Sequence, residues 1–325
     1  MYVRTLARRA FTLILGTLPL GVTAQAVAAD YPAGPIRVVV AFGPGGIADT
    51  IARLGGQKLN EKFGQPIVTD NRPGAGGAVG AKLVAGANPT GYTLLVTTAA
   101  VAVNAAASAE AVDPRSQLVP IAVGASAPTI IAAHRSATAK TLMDLVKSAK
   151  GGRFTFSTAG IGTTEHLASE YIFRAVQGVE GTHVPYQGGA APVTALMSQQ
   201  VDLTTTSVPT ALPFIKQGAI RVLAMVARKR HPLLPDVPTI AEAGLPNIEN
   251  SSWVAFFAPA RTPAAAVQTL NAAINDAMRQ QDVRDRLSGL GFDQVSMTQP
   301  QFADYIKSEV EKWATVIKST GINPN

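Results

Sequence analysis

Three stretches of the chain put glycines, small residues and hydroxyls where a strand gives way to a helix. The first is Phe42-Gly43-Pro44-Gly45-Gly46, followed closely by Asp49; the second is Ser157-Thr158-Ala159-Gly160, continued by Gly162-Thr163-Thr164; the third is Gln187-Gly188-Gly189-Ala190. Glycine lets the backbone turn tightly and brings its N–H groups against a bound molecule. The helix that follows adds unpaired donors and a partial positive charge, so each such turn can receive an anion. One glycine-rich turn is ordinary in any α/β protein. Three in one chain, with four hydroxyls along the second, point to an anion-binding site.

Other chemistry finds less support. None of the turns ends in Gly-Lys-Ser/Thr, so a nucleoside triphosphate site is not expected. Gly43-x-Gly45-x-x-Ala48 does match a relaxed dinucleotide fingerprint, with Asp70 about where a ribose-binding acid would stand. That leaves a nicotinamide-dependent oxidoreductase as a competing reading, weakened by a second glycine loop directly after Asp70. There is no Gly-x-Ser-x-Gly elbow, and Ser126 lacks that context. His166 and Glu170 share a helix face, but with no second histidine nearby a simple pair is expected rather than a metal site. His183 lies in an apolar strand and reads as a core histidine. Asp49 and Arg53, four apart, read as a helix salt bridge. The chain has no cysteine and four histidines, which excludes disulfides, thiol nucleophiles and zinc ribbons. No catalytic constellation stands out, so neither an enzyme nor a resident cofactor is expected.

The elements that must position these turns follow from the hydrophobic pattern. Of 325 residues, 47% are hydrophobic and only 15% charged, which argues against a coiled coil, a disordered chain or a nucleic-acid partner. Arg4, Arg8 and Arg9 precede an apolar run broken by Gly16, Pro19 and Gly21, and then Ala24-Gln25-Ala26-Val27-Ala28. This is the pattern of a signal peptide over residues 1–28, too short and interrupted for a membrane anchor. Arg8-Arg9 would also suit twin-arginine export. Losing the leader's three arginines leaves 25 basic residues from 28, against 21 acidic ones, a net charge of +4. Export to the periplasm is therefore expected. Thereafter β-rich runs at 36–42, 66–69, 92–97 and 119–123 alternate with helical ones, and the pattern restarts at 141–150, with strands at 154–157, 182–186, 202–207 and 220–227. Two parallel sheets of similar order are predicted. Phe302, Tyr305, Ile306, Val310, Trp313 and Ile317 form one stripe of an amphipathic C-terminal helix, which must return to the first sheet.

Several motifs in order carry a resemblance. They are Pro44-Gly45-Gly46-x-x-Asp49-x-x-Ala52-Arg53, Asn71-Arg72-Pro73-Gly74-Ala75-Gly76-Gly77, Gly91-Tyr92-Thr93-Leu94-Leu95, His183-Val184-Pro185-Tyr186 and Leu234-Pro235-Asp236-Val237-Pro238-Thr239-Ile240-Ala241-Glu242-Ala243-Gly244. Together they cover nearly the whole mature chain, which resembles the Bug family, the extracytoplasmic solute receptors of tripartite tricarboxylate transporters. The resemblance implies a type II periplasmic binding fold, α/β, with two lobes and two hinge crossings. Lobe one would comprise 29–125 plus 252–325, and lobe two 126–251. It also implies capture, without bond chemistry, of a di- or tricarboxylate, an acidic amino acid or an aromatic acid, by loops equivalent to Phe42–Gly46, Ser157–Thr164 and Gln187–Ala190. Partners would be that ligand and the membrane components of the transporter, with the receptor itself a monomer; an orphan receptor serving a signalling partner is the alternative. The chain departs from the family pattern at Thr206, beside Ser207 on one pocket wall, where members often carry an acid. It departs again in the alanine-rich stretch 99–112, and at Gln117 in place of a frequent aspartate. These departures bear on which ligand is taken.

Overall fold

The computed structural model describes residues 31–148, 153–177, 179–246, 248 and 250–321, so the leader expected at 1–28 lies outside them. The β-branched run at its start forms β1 (Ile36–Val40), buried at every position except Arg37, as a strand covered on both faces requires. α1 (Ile47–Phe63) follows and stops at Gly64, whose left-handed backbone lets its N–H donate to the Asn60 carbonyl. β2 (Ile67–Asn71), α2 (Ala78–Ala85), β3 (Thr93–Thr98) and α3 (Ala100–Ala107) complete the first α/β repeat. β1 lies parallel between β2 and β3, from Ile36 opposite Ile67 and from Arg37 opposite Thr93.

The second repeat is built the same way at its outer edge. After β4 (Leu118–His134) come α4 (Leu142–Ser148), β5 (Arg153–Thr158), α5 (Thr164–Arg174), β6 (Glu180–Pro185), α6 (Ala191–Met197), β7 (Leu203–Ser207), α7 (Val208–Lys216) and β8 (Ile220–Met225). β5 is parallel to both β6 and β7. The chain then returns through β9 (Ser251–Pro259), α8 (Ala264–Arg279), α9 (Gln281–Gly289) and α10 (Gln299–Thr320). The strand path is β2-β1-β3-β9-β4-β7-β5-β6, with β8 also on β4.

The centre of this path departs from the parallel sheets expected. β9 is antiparallel to β3 and β4, and β4 is antiparallel to β7 and β8. β4 is also far longer than the strand read at 119–123. Its residues from Leu118 to Pro128 pair with β9, and those from Thr129 to His134 pair with β7 and β8. Pro120 and Pro128 cannot donate to a ladder, and alanines at 122, 125, 127, 132 and 133 have weak strand preference, so burial rather than propensity makes this strand. Register shifts beside Pro120 absorb the missing donor.

One apolar core lies under β1, β3, β9 and the first half of β4, and two further clusters flank the second half-sheet. Along β4 the side chains alternate between these two clusters, Ile131 and Ala133 into one, Ile130 and Ala132 into the other, the two-residue period of a strand. α10 packs onto the first core, as its stripe predicts: Phe302, Ile306, Val310 and Trp313 are buried, with Tyr305 and Ile317 half-buried beside them. A capping box starts this helix, Thr298 Oγ1 accepting from the Gln301 N–H while the Gln301 side chain accepts from the Thr298 N–H. The Trp253 indole N–H donates to Glu309 at 3.1 Å, and its ring meets Phe302 edge-on with centroids 5.8 Å apart. Burying an aromatic of this size contributes roughly 2–3 kcal/mol.

Candidate functional site

The three glycine turns lie beyond the carboxyl ends of parallel strands β1, β5 and β6, the place where open α/β sheets receive ligands. They also touch one another. The Gly43 N–H donates to the Gln187 carbonyl at 3.0 Å, joining the first turn to the third. Gly189 has a φ of +64°, and a β-carbon there would come within 2.3 Å of the Pro44 carbonyl. Gly76, in the loop after β2, faces the second turn just as closely: a β-carbon would stand 2.0 Å from the Ile161 carbonyl. At both places backbone approaches backbone, and no side chain larger than hydrogen fits.

Beneath these contacts is a cavity of about 30 Å³, with room for about two waters at most. An organic acid enters only when the turns part. Of the residues expected at a site, Phe42, Gly46, Ala159, Thr163, Gly188, Gly189, Thr206 and Ser207 line it. The others shape the walls from behind. Gly43, Pro44, Gln187 and Ala190 belong to the loop–loop contact just described, and Ala190 meets Gly45 across it. Asp49 is committed to its own turn: it accepts from the Gly45 N–H at 3.1 Å, from Asn71 at 3.0 Å and from Arg53. Burial pushes its carboxyl up, but the hydrogen bonds from Arg53, Gly45 and Asn71 prevail and hold it below the usual range. Ser157 donates to the Pro192 carbonyl at 3.1 Å and to Thr204 at 2.9 Å, inside the sheet.

Thr158, Gly160, Gly162 and Thr164 support the second turn. Thr158 Oγ1 and His183 Nε2 are hydrogen-bonded at 2.7 Å, and the His183 ring stacks on His166 with centroids 4.1 Å apart. The Gly162 N–H points at His166 Nδ1, and the Gly160 carbonyl accepts from Thr163 Oγ1 at 2.8 Å. Burial, then the neighbouring His166, lowers His183 to about 3, and burial also lowers His166, so both rings are neutral props. His166 is therefore a buried stacking partner rather than half of a surface pair, though its Nε2 stands 4.0 Å from Glu170. No cluster of three potential metal ligands exists among the described residues. Asp70, where a ribose acid would stand, is held instead by Arg37 and Arg72.

Sequence reasoning missed Ile47, Ala48, Thr98, Glu165 and Thr210, which also line the cavity. Thr98 ends β3, and the other four sit in the first turns of α1, α5 and α7. The rule that ligands meet the carboxyl ends of strands, extended one helical turn further, would have found all five. The N-termini of three helices thus converge on one small space. Of these, α1 and α7 have no side-chain cap hydrogen bond, although Pro209 leaves the first turn of α7 one N–H short. Among the described residues no lysine, arginine or histidine lines the cavity, and Glu165 is its one ionisable lining group. Cavities of greater volume occur elsewhere, including one of about 540 Å³ beside Arg228–His231, but no glycine turn lines it.

Fold and site together define an α/β binding protein with its cavity beyond the carboxyl ends of parallel strands. The comparisons agree: residues 51–322 match the family described as the tripartite tricarboxylate transporter family receptor, and the chain belongs to that family. It is 31% identical to protein BugT of Bordetella pertussis over 306 residues, covering 93% of this chain and 94% of that one. The structure of Rpa4515 of R. palustris with adipate superposes with a TM-score of 0.84 at 32% identity, covering 90% of this chain and 99% of that one. MatC of Rhodopseudomonas palustris with bound malate gives 0.81 at 33% identity, covering 88% and 100%. The resemblance to the Bug receptors is thereby borne out.

Proposed function

We propose that this protein captures a small carboxylate between its lobes in the periplasm and delivers it to the membrane components of a tripartite tricarboxylate transporter. The observation that carries this reading is the cavity itself, walled by three helix N-termini and hydroxyls and lined by no cationic side chain. Such a site favours an anion through backbone donors. Phe42–Gly46, the 157–164 turn, Gln187–Ala190, Thr206 and Ser207 would form the ligand shell, with Thr98, Glu165 and Thr210 added to it. The adipate and malate held by the two structural relatives support a dicarboxylate as the ligand class.

Lobe bounds of 29–125 with 252–325, and of 126–251, accord with β4 changing partners between Pro128 and Thr129. The second crossing falls where the Asn250 N–H donates to Val226 and its carbonyl accepts from Thr129. A leader over 1–28 would bring the chain to the periplasm. Micromolar capture requires about 8 kcal/mol. Charge-assisted hydrogen bonds give about 1.5–3 kcal/mol each, so roughly three to five donors from both lobes would be needed before the cost of closure. Small-angle scattering of the protein titrated with malate or adipate should show compaction on binding; a ligand that binds with no change in dimensions would refute capture by closure.

A further inference from the structure

A carboxyl group lining a cavity built for anions needs a reason to be there. Glu165 stands in the first turn of α5, 6% exposed, beside Thr163, Thr206 and Ser207 in the cavity wall. Its Oε2 accepts from Thr164 Oγ1 at 3.3 Å. The charged and titratable groups around it give no compensation. On α5, His166 is buried and neutral, and Glu170 pairs with Arg174 at 2.9 Å. On β6, His183 is likewise neutral and Glu180 pairs with Arg153; β7 carries no ionisable residue. Across the cleft on α1, Asp49 is paired with Arg53. A carboxylate in such a place loses its hydration without gaining a cation; hydrogen bonds from its own N–H and from Thr164 and Thr163 oppose this, but burial prevails and pushes Glu165 above the usual range.

We propose that Glu165 is the specificity group of the cleft: in the closed form it is the neutral acid and donates its O–H to the captured carboxylate, so that capture takes up one proton. This rests on the carboxylate-capture reading above. When the turns part, water reaches the carboxyl and it ionises; closing over an anion moves one proton from solvent onto a Glu165 oxygen. No other bond changes. The ligand's negative charge therefore meets a donor rather than a like charge, and release in alkaline surroundings is favoured.

The test is calorimetry of malate and adipate binding from about pH 5 to about pH 8, in buffers of different protonation enthalpy. Uptake of one proton is expected at the alkaline end, with affinity falling there by about tenfold per pH unit. Glu165→Gln, a neutral donor of the same shape, should flatten that profile and bind more tightly than wild type at the alkaline end. In difference infrared spectra, wild-type protein with ligand should show a protonated-carboxyl band that Glu165→Gln lacks. Binding with no proton uptake and the same profile in both proteins would overturn the inference and leave capture standing. So would aspartate binding without proton uptake and lost in Glu165→Gln, which would assign Glu165 to a ligand ammonium. If no carboxylate binds, the capture reading falls and takes this inference with it.

Discussion

One side of the cavity is lined by Phe42, Gly46, Ile47 and Ala48, with Thr98 as its one hydroxyl; the other is lined by Thr163, Glu165, Thr206, Ser207 and Thr210, with Ala159, Gly188 and Gly189 beside them. The first wall offers backbone and hydrocarbon, and its acid, Asp49, is spent on holding the turn. The second offers side chains of varied hydrogen-bonding capacity. A backbone wall receives any anion of the right size, because every residue has the same N–H. A side-chain wall chooses among anions, because each hydroxyl or carboxyl has its own place and protonation state. On the proposed reading, general affinity would fall to the first side and particular selectivity to the second.

The largest effect should come from preventing the walls from meeting. Gly189→Ala puts a β-carbon against the Pro44 carbonyl on a left-handed backbone, so malate affinity should fall by at least about a hundredfold, some 3 kcal/mol. Gly34→Ala, with open space around it, is the control. Calorimetry with scattering reads both; a Gly189→Ala protein that closes and binds normally would break the picture of docked turns. Next in size is the contrast between walls. Thr206→Val keeps shape and removes a hydroxyl, and should cost about 1–3 kcal/mol of binding. Ile47→Val on the other wall should change affinity less than about threefold. Equal losses from the two would erase the division of labour.

The smallest effect concerns stability rather than binding. His183 titrates at about 3 in the folded protein, against an ordinary value of 6.5. Between those values the unfolded chain binds a proton that the folded one does not, so stability rises with pH across that window and is complete above it. His183→Phe should retain the stack and remove up to about 1.4 kcal/mol per pH unit of that slope. Urea unfolding at a series of acid pH values measures it.

Much of this was legible in the residues. Glycine turns after β-branched runs located the cleft, because few residues besides glycine can take left-handed backbone where two loops touch, as at Gly189. The stripe from Phe302 to Ile317 placed the last helix because its spacing admits one buried face. Glu165 was hidden for a plain reason: an acid in a helix's first turn is what the helix dipole favours on any surface, and its burial in the cavity wall comes from tertiary packing that the local sequence does not show. β4 was hidden by its alanines, whose burial depends on β9, a strand more than a hundred residues away in sequence.

That last pairing also governs the order of assembly. β9 lies between β3 and β4, so the parallel set β2-β1-β3 cannot be joined to β4 until residues 251–259 arrive, and its core waits further for α8 and α10. A chain made from its N-terminus has by then been synthesised for most of its length with β3 and β4 still lacking the strand that joins them. Contacts of such long sequence separation form slowly, so the seam that β9 makes between β3 and β4 is the last part of the sheet to close.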